Sequence, residues 1–350
     1  MTASANDPRK FFRGSVAISG GRISSVLPAT PDNGSDDRGT ESENRSRRVI
    51  DAGGKLLMPG LINLHNHVAM SLMRNYADDL PLMEWLADRV WPFEAKLTGD
   101  DVYLGARLGI AEMLLGGTTT FVDMYWHADR VAEAVLESGM RAVVCPAFID
   151  TNYEAFERET VRLVERYAGA DGGRLGVRIA PHAPYTCSPE SVRKALSLCE
   201  RYGLGIHVHL SETRSETETI RQRYDKTSAE YLRDLGVFDY PTLAVHCVHL
   251  TEEDMDILLR YGVSVAYNPQ SNMKLASGIA PVARMIGRGL TVGIGTDGPC
   301  SNNDLDMWDE MRTASLLQKV ATGDASVLPA YETLRMATVG GACAVGMEGE

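Results

Sequence analysis

The sequence predicts a (β/α)8 barrel preceded by a small, incomplete β-sandwich portion. Short apolar or β-rich runs alternate with amphipathic helical segments from Leu61 onward, which is typical of βα repeats. Eight such runs occur over about 240 residues, as a (β/α)8 barrel requires. No Gly-rich phosphate loop follows any of the runs, and this disfavours a doubly wound sheet.

The predicted strands are the eight apolar runs LINLHNH, TTFVDMY, RAVVCPAFI, GVRIAPHAPY, GIHVHLSET, TLAVHCVHL, GVSVAYNP and LTVGIGTDG. Helix signals lie between them. Ser188 is a predicted N-cap with Pro189 at the first helical position and Gly203 past the end. A second helix begins at Thr251, which forms a capping-box pattern with Asp254.

The first 58 residues differ from the rest and form the predicted sandwich portion, whereas residues 59–350 form the predicted barrel. A hairpin is expected around Gly20 and Gly21, and a further strand over Val49–Leu57. Residues 29–48 are polar and charged, so we expect a disordered loop there. The chain offers no run of sandwich strands after its last helix, so the sandwich is expected to be reduced or the chain to be a fragment.

Composition narrows the function. A net charge of −12 argues against a nucleic-acid partner, and no apolar run approaches the length of a membrane span. The six cysteines are scattered without a C-x-x-C pair, a pattern that suggests reduced thiols in a cytoplasmic protein. Any metal would therefore be held by histidine and carboxylate. We expect a small-molecule substrate, and the apolar exterior of the barrel allows a homo-oligomer.

Polar side chains fall at the carboxyl ends of the predicted strands, where this fold builds its active sites. Seven of the eight histidines in the chain lie there, and the eighth, His127, lies in the loop after the second strand. His65 and His67 are two apart at the end of the first strand, so they share a face.

Neutral imidazoles and a carboxylate suit zinc or iron(II). His209 and Asp297, at the ends of the fifth and eighth strands, complete a predicted ligand set with His65 and His67. Glu212 lies three residues after His209 and is the natural proton shuttle for a metal-activated water. His207 is expected to be a packed, hydrogen-bonded histidine. His249 and His127 are not expected to bind the metal.

Several segments, in order, carry a resemblance to a known family: MPGLINLHNH, GTTTFVDMY, HAPYTCSPE, HVHLSETRSE, AVHCVHLTEEDM and GIGTDGPCSNNDLDMWDEMR. They resemble the amidohydrolase superfamily, and RNYADDLPLMEWLADRVWPFEAKLT points to its 5-methylthioadenosine/S-adenosylhomocysteine deaminase branch. The resemblance implies one zinc, or iron, on His65, His67, His209 and Asp297. It further implies Glu212 as acid and base, His246 as the polarising residue, and Asp297 as proton acceptor. Metal-bound hydroxide would convert an adenine nucleoside to its inosine analogue and ammonia.

The same resemblance implies substrate contacts at Trp85, Glu94, His182 and Ser301. Glu94 would bind the ribose hydroxyls and Trp85 would line the nucleoside pocket, with His182 near the 5′ substituent and Ser301 near the adenine. One departure matters. Relatives in this branch commonly carry an arginine-glycine pair after the third strand, where this chain has Pro146 and Ala147. This weakens S-adenosylhomocysteine as the substrate and leaves methylthioadenosine, adenosine or another purine open.

Three other functions stay open at this point. An amino- or chloro-hydrolase acting on guanine, a triazine or a related heterocycle would use the same metal apparatus. A dinuclear amide hydrolase is disfavoured because the fourth strand offers no lysine for a bridging carbamate. The last is a catalytically inactive, metal-binding relic.

Overall fold

A computed structural model describes residues 12–29, 48–167 and 169–349. The chain divides into two compact units, with the main boundary between Pro59 and Gly60. In the first unit, β1 (Gly14–Ser19) and β2 (Arg22–Pro28) pair in antiparallel fashion. Gly20 and Gly21, with φ of 59° and 76°, supply the left-handed turn that a two-residue hairpin needs. The predicted hairpin is therefore observed.

The strand predicted for Val49–Leu57 is wrong, since the structure shows no strand there. The carboxylate of Asp51 accepts a hydrogen bond from the backbone N–H of Gly53 at 2.8 Å, and Gly54 has φ of 74°. These features make a turn in the middle of the apolar run. Of the predicted loop 29–48, residues 30–47 lie outside the described part of the chain.

The second unit contains all eight predicted barrel strands, and every neighbouring pair is parallel. They are β3 (Leu61–Asn66), β4 (Thr118–Tyr125), β5 (Arg141–Phe148), β6 (Leu175–Pro181), β7 (Gly205–Leu210), β8 (Thr242–His246), β9 (Ser264–Tyr267) and β10 (Val292–Ile294). They lie side by side in chain order from β3 to β10. After β10, Asp297 donates its backbone N–H to the carbonyl of His65 at 2.9 Å and so joins the last strand to the first. The predicted (β/α)8 barrel is confirmed.

Helices alternate with these strands. They are α1 (Leu82–Glu84), α2 (Trp91–Glu94), α3 (Gly99–Leu115), α4 (Ala128–Ser138), α5 (Tyr153–Tyr167), α6 (Ala170–Gly173), α7 (Pro189–Tyr202), α8 (Arg214–Tyr224), α9 (Ser228–Asp234), α10 (Glu252–Arg260), α11 (Pro269–Lys274), α12 (Val282–Gly287), α13 (Met307–Thr322), α14 (Ala330–Met336) and α15 (Val339–Val345). Three 3-10 turns (Val68–Met73, Asp150–Asn152 and Val237–Asp239) and a π-helical segment (Trp85–Val90) complete the unit. No helix in the described part of the chain is long and apolar enough to span a bilayer.

The predicted helix caps are observed. The Ser188 side chain accepts from the backbone N–H of Ser191 at the start of α7, and Gly203 ends that helix with φ of 67°. Thr251 and Asp254 form the capping box of α10. Hydrogen bonds from side chains thus set the helix ends that the residue types predict.

The barrel interior is apolar at one end and polar at the other. Its core includes Leu64, Met124, Val143 and Val245, which are almost completely buried. Helix α15 packs against this core next to Ile62, near the start of β3, and so covers the amino ends of the strands. The polar residues therefore meet at the opposite end, where the carboxyl ends of the strands open towards the connecting loops.

Candidate active site

Four side chains from three strand ends lie around His65 Nε2, which belongs to two groups of potential metal ligands, one with His67 and Asp297 and one with His209 and His246. Asp297 Oδ1 lies 3.2 Å from His65 Nε2 and 3.2 Å from His67 Nε2. His209 Nε2, from the end of β7, lies 3.2 Å from His65 Nε2. All four residues are buried or nearly so. The structure thus brings together the complete ligand set expected from the sequence.

The outer nitrogen of each imidazole is held by the protein. His67 Nδ1 donates to a backbone carbonyl of β4, and His209 Nδ1 donates to the carbonyl of His182 at 2.7 Å. A carbonyl can only accept, so Nδ1–H donates in both rings and the Nε2 atoms face inward. His65 Nδ1 lies 2.8 Å from His207 Nε2, so His207 is the packed, hydrogen-bonded histidine that was expected.

The donor set fits a divalent cation. His65 Nε2 and His209 Nε2 face one another across 3.2 Å, and Asp297 Oδ1 lies 3.2 Å from His65 Nε2, so these three atoms lie close enough to bind one cation between them. Separations of this size are those of neighbouring ligands on one ion with bonds of about 2.0–2.2 Å. Three imidazole nitrogens and one carboxylate oxygen suit zinc or iron(II).

The protonation behaviour of the cluster agrees with this interpretation. Burial lowers the pKa of His65 to about 4, so its imidazole is neutral and able to ligate. Burial also disfavours charged His67, but its hydrogen bond to Asp297 and the charge of that carboxylate prevail and raise the pKa to about 9. The carboxylate thus attracts positive charge to this point, which a proton supplies when no metal is bound.

Glu212 and His246 lie beside the cluster. Glu212 Oε2 is 3.7 Å from His246 Nε2, and both side chains are almost completely buried. His246 Nδ1 accepts hydrogen bonds from Asn272 Nδ2 at 2.9 Å and from Asn268 Nδ2 at 3.3 Å, so Nε2 carries the proton and faces the site. His246 and Asp297 have φ of 70° and 62°, a backbone conformation that non-glycine residues adopt mainly at constrained sites.

Neighbouring side chains contact Glu212 and hold its carboxyl group in place. Ser277 Oγ lies 3.4 Å from Glu212 Oε1, and His249 Nε2 donates to the carbonyl of Ser277 at 2.7 Å. Burial raises the pKa of Glu212 well above its ordinary value, and the nearby charge of Asp297 raises it further. His249 supports the site from outside and is not part of the cluster, as expected.

A cleft borders the cluster, since His67, His209 and Asp297 are among its lining residues. Three of the four residues predicted to bind substrate line it, namely Trp85, Glu94 and His182. Ser301 does not: it is buried in the turn after Asp297, where its hydroxyl donates to the carbonyl of Gly298 at 3.2 Å.

The wall of the cleft is fixed by hydrogen bonds. Trp85 Nε1 donates to the carbonyl of Ala77 at 3.1 Å, and Trp126 Nε1 donates to Glu94 Oε2 at 3.1 Å. Burial raises the pKa of Glu94, although the hydrogen bond from Trp126 opposes this. A π-helical segment (Trp85–Val90) supplies several of the lining side chains. Such segments occur frequently at functional sites.

With this geometry established, comparison with known proteins decides the family. The model of the amidohydrolase family matches residues 56–350. The chain belongs to the amidohydrolase family. As a member it is a hydrolytic enzyme that depends on a metal, which agrees with the cluster at the strand ends.

Relatives within this family are close. A 5-methylthioadenosine/S-adenosylhomocysteine deaminase of Desulforudis audaxviator is 52% identical over 341 residues, covering 96% of this chain and 77% of the relative. The solved structure of an adenosine deaminase from Xanthomonas campestris with bound zinc shares 35% identity and a TM-score of 0.84, covering 96% of this chain and 76% of that one. A guanine deaminase from C. acetobutylicum with bound guanine has a TM-score of 0.85 at 24% identity, over 95% and 81% of the two chains, a likeness that shows the fold alone.

Sequence analysis missed several residues of this amidohydrolase site. Glu216 holds the backbone of Glu212, and Asn272 and Ser271 hydrogen-bond His246 and Asp297. The T-x-x-E pattern at Thr213 indicates only a helix start, so Glu216 resembled an ordinary capping residue. Pro269 at the start of α11 likewise predicts a helix, but it does not show which side chains turn towards the barrel.

Proposed function

We propose that the chain hydrolyses the amino group from the adenine ring of a nucleoside and releases ammonia and the inosine analogue. Candidate substrates are 5-methylthioadenosine, S-adenosylhomocysteine and adenosine. One observation carries the proposal: a group of potential metal ligands lies at the base of a cleft, with Glu212 beside it. The group consists of His65, His67, His209 and Asp297. It is supported by the 52% identity to a curated 5-methylthioadenosine/S-adenosylhomocysteine deaminase.

His65, His67, His209 and Asp297 are proposed to hold one divalent metal. Zinc is favoured over iron because the donor set suits zinc and because the related adenosine deaminase binds it. When bound, the metal acts as a Lewis acid that brings the pKa of a water molecule towards neutrality. Ser271 Oγ donates to Asp297 Oδ2 at 2.6 Å and so orients this carboxylate, which is also proposed to accept a proton from the attacking water.

Glu212 is proposed to move the proton between the attacking water and the substrate. Deamination at C6 requires a group that accepts a proton, delivers it to a ring nitrogen and assists the departure of ammonia. Burial is the main reason that the pKa of Glu212 lies well above its ordinary value, so its carboxyl retains an accepted proton more readily than an exposed glutamate would. Its Oε2 lies 3.7 Å from His246 Nε2, and this supports its proposed part in the transfer.

His246 is proposed to donate a hydrogen bond to the oxygen that develops charge during attack. Burial lowers the pKa of His246 to about 3, so the imidazole is neutral. Since Asn272 fills its Nδ1, the Nε2–H is the group that points into the site. A neutral, fixed donor of this kind stabilises developing negative charge without changing protonation state.

Glu94 and Trp85 are proposed to bind the ribose and flank the nucleoside, with His182 near the 5′ substituent. Contact between Ser301 and the adenine stays a prediction. Five of the six cysteines are free and buried, and this supports the proposed cytoplasmic location. A homo-oligomer also remains a prediction.

The test is whether the zinc-loaded protein deaminates the substrate. The reaction is monitored by the loss of adenine absorbance and by the release of ammonia. Methylthioadenosine, S-adenosylhomocysteine and adenosine are assayed separately, with guanine and a chlorotriazine as alternatives. Glu212→Gln is the matched control: it should keep the metal and lose at least about a hundredfold in kcat, since only proton transfer is removed. Turnover of guanine or the triazine alone would overturn the proposal, and full metal content without any turnover would favour an inactive relic.

A further inference from the structure

The charge of the cleft limits what the nucleoside can carry. Three carboxyl groups line it, those of Glu94, Glu212 and Asp297. Among the described residues, no lysine or arginine contributes to this lining. The remaining wall is strongly apolar and includes Met70, Leu82, Leu86, Val90 and Leu275.

Of the cations near the cleft, Lys274 is engaged by a carboxylate outside the lining, and Arg223 lies at the surface. Lys274 forms an ion pair with Asp78 and donates to Asn303 Oδ1 at 2.6 Å. Arg223 is exposed, and its guanidinium lies 3.4 Å from the carbonyl of Tyr185. Lys274 is therefore already neutralised by a carboxylate of its own.

The geometry of the reaction places the 5′ substituent against this wall. If C6 of adenine lies beside the metal-binding cluster, the ribose on the far side of the ring system points away from it. The substituent then lies in the part of the cleft lined by His182 and by Leu82, Leu86 and Val90, and the last three side chains are at most 8% exposed. A thioether there replaces water with apolar contacts, whereas a zwitterionic amino-acid end loses hydration there and its carboxylate finds no lysine or arginine in the lining.

We infer, on the basis of the proposed function, that this site selects adenine nucleosides with an uncharged, apolar 5′ substituent, such as a methylthio group, and discriminates against those that end in a charged amino-acid group. An unpaired, partly desolvated charge is an effective means of rejecting a ligand.

Three substrates that differ in the length and charge of the 5′ substituent test this inference on the zinc-loaded protein. They are 5′-methylthioadenosine, 5′-butylthioadenosine, which is neutral with a tail about as long as the homocysteine chain, and S-adenosylhomocysteine. We expect kcat/KM for the butylthio compound to lie within severalfold of that for methylthioadenosine. We expect kcat/KM for S-adenosylhomocysteine to be at least about tenfold below that for the butylthio compound, chiefly because KM is higher.

The outcomes separate the two hypotheses. Equal kcat/KM for S-adenosylhomocysteine and butylthioadenosine overturns the inference while leaving the deaminase function intact. An equal decrease for both long substrates also overturns it, because length rather than charge would then decide. Absence of turnover on all three overturns the proposed function itself.

A charge-introducing variant tests the same point from the side of the protein. Ala147 lines the cleft and is 7% exposed, so Ala147→Arg places a cation there. The ratio of kcat/KM for S-adenosylhomocysteine to that for butylthioadenosine should rise at least about tenfold relative to Ala147→Met, the neutral control of similar length. An unchanged ratio in the folded arginine variant overturns the inference. If that variant does not fold, the wild-type comparison still decides.

Discussion

The carboxylate of Glu216 accepts a hydrogen bond from the backbone N–H of Glu212 at 3.0 Å. The same carboxylate accepts from the N–H of Ser211 at 2.7 Å and from the hydroxyl of Ser228 at 2.8 Å. Ser211 has φ of 51°, so the chain turns sharply just after β7. Glu216 is 3% exposed and thus fixes, from beneath, the backbone that carries Glu212.

Replacing Glu216 should therefore impair catalysis through position. We expect Glu216→Ala to lower kcat by about ten- to a hundredfold while KM and metal content stay close to wild type, because small displacements of a proton-transfer group are costly. Steady-state kinetics and metal analysis measure this. Glu218→Gln, at an exposed position of the same helix, is the control. A parallel loss of metal in Glu216→Ala would show a general structural role instead.

Removal of one imidazole from the cluster should reduce metal affinity. We expect His65→Ala to lose most of its bound metal after dialysis and to lose activity with it, because the ion would keep only three protein ligands. His127→Ala is the matched control, since His127 lies in the loop before α4. Metal analysis of both variants decides, and full occupancy in His65→Ala would remove that residue from the ligand set.

The barrel and the meeting of polar side chains at its strand ends were predictable because both follow simple spatial rules. Parallel strands of a barrel place their carboxyl ends together, so polar residues at eight strand ends were expected to meet. The helix caps at Ser188 and Thr251 were predictable for a similar reason, since a single side chain satisfies the free N–H groups of the first turn.

Other features depend on contacts between residues far apart in sequence. Thr296 donates its N–H to the side chain of Asn63 at 3.0 Å, a link between the last and first strands that no local pattern reveals. At Val49–Leu57 the local pattern itself led to a wrong prediction of a strand. Its apolar residues favour a strand, but the turn at Asp51 and Gly53 interrupts it.

Asn272 offers a test of the orientation of His246. Its amide donates to His246 Nδ1 at 2.9 Å and so keeps the proton on Nε2. We expect Asn272→Asp to lower kcat by at least about tenfold, because a carboxylate accepts from Nδ1–H and favours the tautomer without a proton at Nε2. Asn152→Asp is the control, since Asn152 Oδ1 accepts the N–H of Ile149 at 2.8 Å and an aspartate there keeps that acceptor. Equal kinetics in the two variants would refute the assigned tautomer.

Glu159 predicts a pH dependence of stability away from the active site. Its carboxylate accepts the backbone N–H of Ala128 at the start of α4, which has no side-chain cap of its own. Burial, together with the charge of Asp129, raises the pKa of Glu159 from 4.5 to about 7. Between these two values the unfolded chain has released the proton and the folded chain retains it. This group therefore makes the free energy of unfolding fall as pH rises through that window, and its contribution levels off above pH 7.

Glu159→Gln should remove that slope, since glutamine keeps an oxygen for the Ala128 N–H and does not ionise. Relative to wild type, we expect the variant to gain roughly 1–3 kcal/mol in free energy of unfolding between pH 4.5 and pH 7. Urea unfolding at several pH values, with metal content held equal, measures the difference. Because metal binding changes with pH in both proteins alike, it cancels in the comparison. Glu165→Gln, at an exposed position of α5, should show no such gain, and a wild-type slope in Glu159→Gln would contradict the assigned burial of this carboxyl.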